Sequence, residues 1–210
     1  MDLEYKGANC VVIISKKDIF VTDPKLSDVG LKDQGSQATA VLLTQAAFDA
    51  PVADNTLKID RPGEYEISNC SVRGVAARRH SELTDNLLNS TIYRLDIEGL
   101  SVAILGHIDP NLSEDQLETL GVIDILVIPV GNGGYTIDPK SAVDLIRKID
   151  PKVVVPTHYA EEGINYEVPQ LSLDEFVKEL GATIEETPKL RLKAGVLPPI
   201  LTVYKIVRTK

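Results

Sequence analysis

Two near-continuous apolar runs, residues 123–130 and 153–156, constrain this chain more than any other feature. A strand that is apolar at successive positions has no face to offer water, so it belongs inside a sheet covered on both sides. The segment between the runs contains a helix. Asp138 precedes Pro139, a residue suited to the first helical position, and Ala142, Val143, Leu145, Ile146 and Ile149 recur at helical spacing. A second helix is predicted over 114–120, with Ser113 as cap, Gln116 at the capping-box position and Gly121 as stop. A third begins after Ser172, with Glu175 completing its box, Leu173, Phe176, Val177 and Leu180 as its buried stripe, and Gly181 as its end.

Upstream, short runs rich in Val, Ile, Thr and Tyr predict strands at 10–15, 19–22, 40–44, 65–67 (with Ile59 nearby), 71–76, 91–97 and 101–105. A last strand is predicted at 201–207. Many strands, then strands alternating with helices, describe an α/β protein in which two sheets lie face to face with helices outside. No linker or charge block divides the 210 residues, and one domain over 1–210 is expected.

Charge narrows the partners. With 31 acidic and 22 basic residues the net charge is −9, which repels phosphate backbones and anionic lipid and argues against nucleic-acid or membrane partners. No apolar run approaches the roughly 18 residues of a spanning helix. The start, MDLEYKGANC, lacks the apolar core of a signal peptide. Cys10 and Cys70 stand 60 residues apart without a CxxC partner, so a reducing, cytoplasmic setting is expected. Nothing in the pattern signals an oligomer.

The chain has three histidines, His80, His107 and His158, and each follows a predicted strand. Loops at strand ends carry working groups, and imidazole is the commonest nitrogen ligand for zinc and its neighbours. Converging, the three would hold one zinc or similar divalent ion with a position open for substrate, and Asp49 would add an oxygen. Against this, no HxH or HxxxH pair forces two of them together, and an isolated histidine is most often simply hydrogen-bonded. Gly131-Asn132-Gly133-Gly134 lacks phosphate-loop spacing and reads as a tight turn. No GxSxG elbow offers a serine nucleophile. Arg78 and Arg79, with Arg73 and His80, form a small basic patch that would suit a small anionic molecule. Residues 78–90 and 161–169 read as loops flanking a cleft.

In order, the segments EYKGANCVVIISKKDIFVTDP (4–24), TAVLLTQAAFDA (39–50), RPGEYEISNCSVRGVAARRH (61–80), IYRLDIEGLSVAILGH (92–107) and IDILVIPVGNGGYTIDPKSAVDLIRKIDPKVVVPTHY (123–159) resemble the metallo-β-lactamase-fold superfamily. Within it they are most similar to the candidate zinc-dependent hydrolases related to L-ascorbate-6-phosphate lactonase. PGEYEI, the PVGNGG loop and the VPTHY strand end carry that likeness. The resemblance implies an αββα sandwich with a two-metal site at one sheet edge. It also implies a motif T-H-x-H-x-D-H, where this chain reads Thr44-Gln45-Ala46-Ala47-Phe48-Asp49-Ala50. Gln45, Ala47 and Ala50 replace the motif histidines, and Asp49 alone remains. His80 and His158 match the two later histidines, and His107 matches the bridging aspartate.

On this alignment the first metal keeps only His80, and an imidazole cannot bridge two ions as a carboxylate does. The expectation is therefore a scaffold that has lost the two-metal hydrolase site, either a non-hydrolytic binding protein or a pseudoenzyme, with a small-molecule or protein partner. The alternative is a single-metal hydrolase of an ester, lactone or phosphoester. In it His80, His107 and His158 would be ligands, Asp49 a ligand or general base beside a catalytic His158, and Asp23 a group that orients a ligand from behind.

Overall fold

A computed structural model describes residues 1–80, 89–134 and 136–209. Most of the loop expected at 78–90, namely 81–88, lies outside the described residues. The elements run β1 (Asp2–Gly7), β2 (Cys10–Ser15), β3 (Asp18–Thr22), β4 (Ala40–Leu42), β5 (Leu57–Ile59), β6 (Gly63–Ile67), β7 (Cys70–Ala77), β8 (Ser90–Ile97), β9 (Leu100–Ile104), α1 (Glu114–Leu120), β10 (Ile125–Pro129), α2 (Pro139–Ile149), β11 (Val153–Thr157), α3 (Leu173–Leu180), β12 (Thr183–Thr187), β13 (Leu190–Arg191) and β14 (Thr202–Ile206). Among the described residues no helix is long and apolar enough to cross a membrane.

The strands form two mixed sheets, one ordered β13-β1-β2-β3-β4-β5 and the other β12-β14-β11-β10-β9-β8-β7-β6. Their facing sides enclose one continuous core that includes Leu3, Tyr5, Ile13, Phe20, Leu42, Tyr93, Val102, Val127 and Val155. The two apolar runs supply β10 and β11, inner and parallel, buried at every position. The Tyr93 hydroxyl crosses between the sheets, reaching the carbonyls of Leu43 (2.9 Å) and Ile59 (3.0 Å).

The helices follow their sequence signals. Ser113 and Gln116 form the capping box of α1, and Asp138 accepts from Ser141 N at the start of α2. α2 lays Ala142, Val143, Leu145 and Ile146 against the second sheet and packs on α3. The outer face of the first sheet is covered by the connection between β3 and β4. That connection contains a 3₁₀ turn at Ser27–Val29, and Leu26 and Ala38 seal a smaller apolar cluster with Cys10, Val12, Val21 and Val41.

Strands beyond those expected complete the sheets. β1 alternates buried and half-buried residues, and the two-residue β13 pairs with it at the sheet edge. β12 is almost wholly exposed, so it has no apolar signature and is held by its parallel ladder to β14.

Candidate functional site

Strand direction gathers the three histidines at one edge. β9, β10 and β11 are parallel, and β7 is antiparallel to β8, which is antiparallel to β9. The carboxyl ends of β7, β9 and β11, which lead to His80, His107 and His158, therefore share one side of the sheet. In the first sheet β3 and β4 are parallel and deliver Asp23 and Thr44. The edges are tied together where Thr91 N donates to Thr44 O, at 2.8 Å.

His107 and His158 meet there, both buried. Their rings stand edge to face, centroids 4.5 Å apart. Phe48 lies edge-on to His107 at 5.1 Å, and Tyr166 tilts against His158 at 4.5 Å. Burial, reinforced by His158, Arg79 and His80, drives the His107 pKa well below the usual histidine range. Burial also takes His158 down to about 4, against the pull of its bond to Gln170. Both imidazoles are uncharged at neutral pH.

The tautomer of His158 follows from its neighbour. Gln170 donates its amide NH₂ to Val168 O (2.9 Å), which turns Oε1 toward His158 Nδ1 at 3.2 Å. Nδ1 therefore carries the proton and Nε2 the lone pair. His158 itself sits at φ +51°, a left-handed conformation, with its N–H on Ala8 O at 2.9 Å.

Asp23 is buried at φ +42°. Its carboxylate accepts from Thr44 N (2.8 Å) and the Thr44 hydroxyl (2.7 Å). Burial outweighs those bonds and raises its pKa to about 7. Asp23, His107, His158, Phe48, Tyr166 and Gln170 line a cavity of about 140 Å³, with Asn9, Lys25, Asp28 and Glu167 among its other walls.

The remaining expected residues are placed differently. Asp49 is exposed, both carboxylate oxygens 2.7 Å from Lys58 Nζ, and does not line the cavity. The His80 N–H donates to His107 O (2.9 Å), and Arg79 bridges Ile108, but neither His80 nor Arg79 lines the cavity, and Arg78 lies on a separate groove with Asp109 and Gln116. Gln45 is buried and donates its amide to Ser90 Oγ and His107 O, each at 3.0 Å. Among the described residues no group of three or more His, Cys, Asp or Glu side chains is disposed to hold an ion.

Sequence reading missed Asn9, Phe48 and Gln170, which carry no motif of their own. Tyr166 falls in the expected cleft loop 161–169. Gly131 does more than make the expected turn: it permits close approach, since a Cβ there would lie 2.0 Å from His158 O.

The family model described as "Beta-lactamase superfamily domain" matches residues 2–158. The chain belongs to the metallo-β-lactamase superfamily. Its two mixed sheets are the sandwich of that fold. A candidate Zn-dependent hydrolase of the superfamily from Thermotoga maritima is 26% identical, superposes with TM-score 0.79, and is covered over 100% of its length by 99% of this chain. A candidate metal-dependent hydrolase from Parabacteroides distasonis is 20% identical at TM-score 0.63, covering 85% of this chain and 87% of its own. Igni18, a metallo hydrolase from Ignicoccus hospitalis, shares 15% identity at TM-score 0.63 over 99% of this chain and 94% of its own. These last two bear on the fold alone. No curated protein matches the chain.

Proposed function

We propose that this superfamily member has lost the two-metal hydrolase centre and works as a non-hydrolytic binding protein, a pseudoenzyme of the branch related to L-ascorbate-6-phosphate lactonase. The observation that carries the reading is the state of the motif segment. Gln45 spends its amide on Ser90 and the His107 carbonyl, Ala47 and Ala50 offer no donor atom, and Asp49 is turned to Lys58. Metal chemistry needs several donors converging on one point, and the residues present do not fit a dinuclear centre. What remains is a cavity walled by uncharged rings, suited to holding a small molecule. Two free, buried cysteines, Cys10 and Cys70, support a cytoplasmic setting.

The competing reading, one divalent ion on His80, His107, His158 and Asp49, is favoured by the contact between the His107 and His158 rings and by the similarity to a candidate Zn-dependent hydrolase. Elemental analysis of protein purified without chelator decides between them, together with thermal shifts on adding zinc, manganese or iron. The proposal expects sub-stoichiometric metal and no shift, because an ion that binds the native state must stabilise it. One equivalent of metal, with a shift abolished by His158→Ala, would overturn it in favour of the hydrolase.

A further inference from the structure

We propose that the cavity at the sheet edge binds a small organic monocation of the ammonium class, an inference that rests on the metal-free reading above. Its wall is a contiguous arc of four rings, Phe48, His107, His158 and Tyr166, successive planes turned by 81°, 86° and 39°. The faces of Phe and Tyr rings, which Phe48 and Tyr166 can supply, attract a cation that has shed its water.

The charges agree with the rings. Asp23, Asp28 and Glu167 line the cavity against Lys25, the one Lys or Arg among its described walls, whose Nζ is 3.1 Å from Asp28. Arg78 and Arg79, which suggested an anionic ligand, are not among its walls. With Lys25 paired to Asp28, the negative groups left on the walls are Glu167 and, above its pKa of about 7, Asp23, set against the charge of Arg79 that reaches His107 from outside them. Above that pKa Asp23 is a carboxylate; each of its oxygens accepts one hydrogen bond from Thr44 and keeps a second lone pair to offer.

Asn9 supplies an independent sign of a ligand. It lines the cavity at 5% exposure. Its Oδ1 accepts from Thr157 Oγ1 at 3.2 Å, whereas its Nδ2 has no partner among the described residues. A buried amide left in this state is costly, and an oxygen on the guest would satisfy it. The cavity's 140 Å³ admits a guest of roughly five to ten heavy atoms. Asp23 and His158, both left-handed non-glycine residues, lie on this one cavity, and such strain persists where the surroundings hold a site in shape.

The test is calorimetric titration of the chelator-treated full chain with choline, with its uncharged carbon isostere 3,3-dimethylbutan-1-ol, and with acetate. Choline is expected to bind about tenfold more tightly than the isostere, and acetate not at all; Phe48→Leu and Tyr166→Leu should each weaken choline about three- to tenfold. Both substitutions keep an apolar side chain at the wall while removing the ring, so they report the loss of the ring itself. Equal affinity for choline and the isostere, preference for acetate, or no binding of choline at millimolar concentration would each overturn the inference. Zinc titrated into chelator-free protein separates the two possible failures. Stoichiometric zinc removes the metal-free reading and this inference with it, whereas no zinc binding together with no preference for the cation removes this inference alone.

Discussion

Asp23 and Thr44 form a closed pair across the ends of adjacent parallel strands, the carboxylate taking both the backbone N–H (2.8 Å) and the hydroxyl (2.7 Å) of the threonine. The pair is buried, and burial raises the acid's pKa from 3.8 to about 7. The folded chain therefore holds a proton that the unfolded chain releases at lower pH. The resulting stability is fully present below the unfolded value and is lost as pH rises through about 7. Asp23→Asn should remove this dependence. In urea unfolding at several pH values, the variant's stability relative to the parent is expected to rise between pH 4 and 7. The rise should reach a few kcal/mol, because each tenfold difference in proton affinity between folded and unfolded chains is worth about 1.4 kcal/mol. A difference flat across that window would mean that Asp23 is ionised in the fold at neutral pH.

Gln170 determines which nitrogen of His158 carries the proton, because its own amide is held by Val168 O. Gln170→Leu leaves Nδ1–H without its acceptor. The expected outcome is a loss of about 1–3 kcal/mol, the cost of a buried donor left unsatisfied, and a change of the ring toward mixed tautomers. Imidazole ¹⁵N chemical shifts report this directly; an unchanged pattern in the variant would show that something other than Gln170 fixes the ring.

Gly131 passes close under the His158 carbonyl, where a Cβ would meet backbone oxygen at 2.0 Å. A backbone atom cannot swing aside as a flexible side chain does, so Gly131→Ala must displace the strand end that presents His158. A loss of about 1–3 kcal/mol or more is expected, with altered ¹H and ¹⁵N shifts of His158. Parent-like stability in chemical denaturation would contradict the contact.

Tyr93→Phe tests the bond between the sheets. The Tyr93 hydroxyl reaches carbonyls of Leu43 and Ile59 from the opposite sheet. It has one proton, so the two carbonyls share it. Its removal should cost about 1–2 kcal/mol in urea unfolding and leave the His107 and His158 resonances in place, since the ring still fills its space in the core.

Much of the fold could be read from the residues because the relevant physics is local. The helices α1 and α2 stand at 114–120 and 139–149, where capping side chains and apolar spacing put them, since a cap and a stripe act within a turn or two of chain. β2, at Cys10–Ser15, is a run of apolar residues that only a buried strand accommodates. β12 was invisible for the opposite reason, since its exposed TIEET gains its order from β14 and not from its own composition. Asp49 belongs to the same class. A motif aspartate and a salt-bridging one look alike in sequence, and Lys58, brought beside it by the fold, occupies both its oxygens.

The sequence by itself determined the elements, their order, and the placing of a histidine after each of three strands, because hydrophobic period and end signals are written within a few residues. The tertiary structure decided which way those strands run, and so which side chains share one edge. It decided that His107 and His158 touch, that Gln170 sets a tautomer from twelve residues away, and that Asn9, Phe48 and Tyr166 wall the same cavity. Contacts between residues far apart in the chain depend on where the whole backbone goes, and no local pattern encodes that.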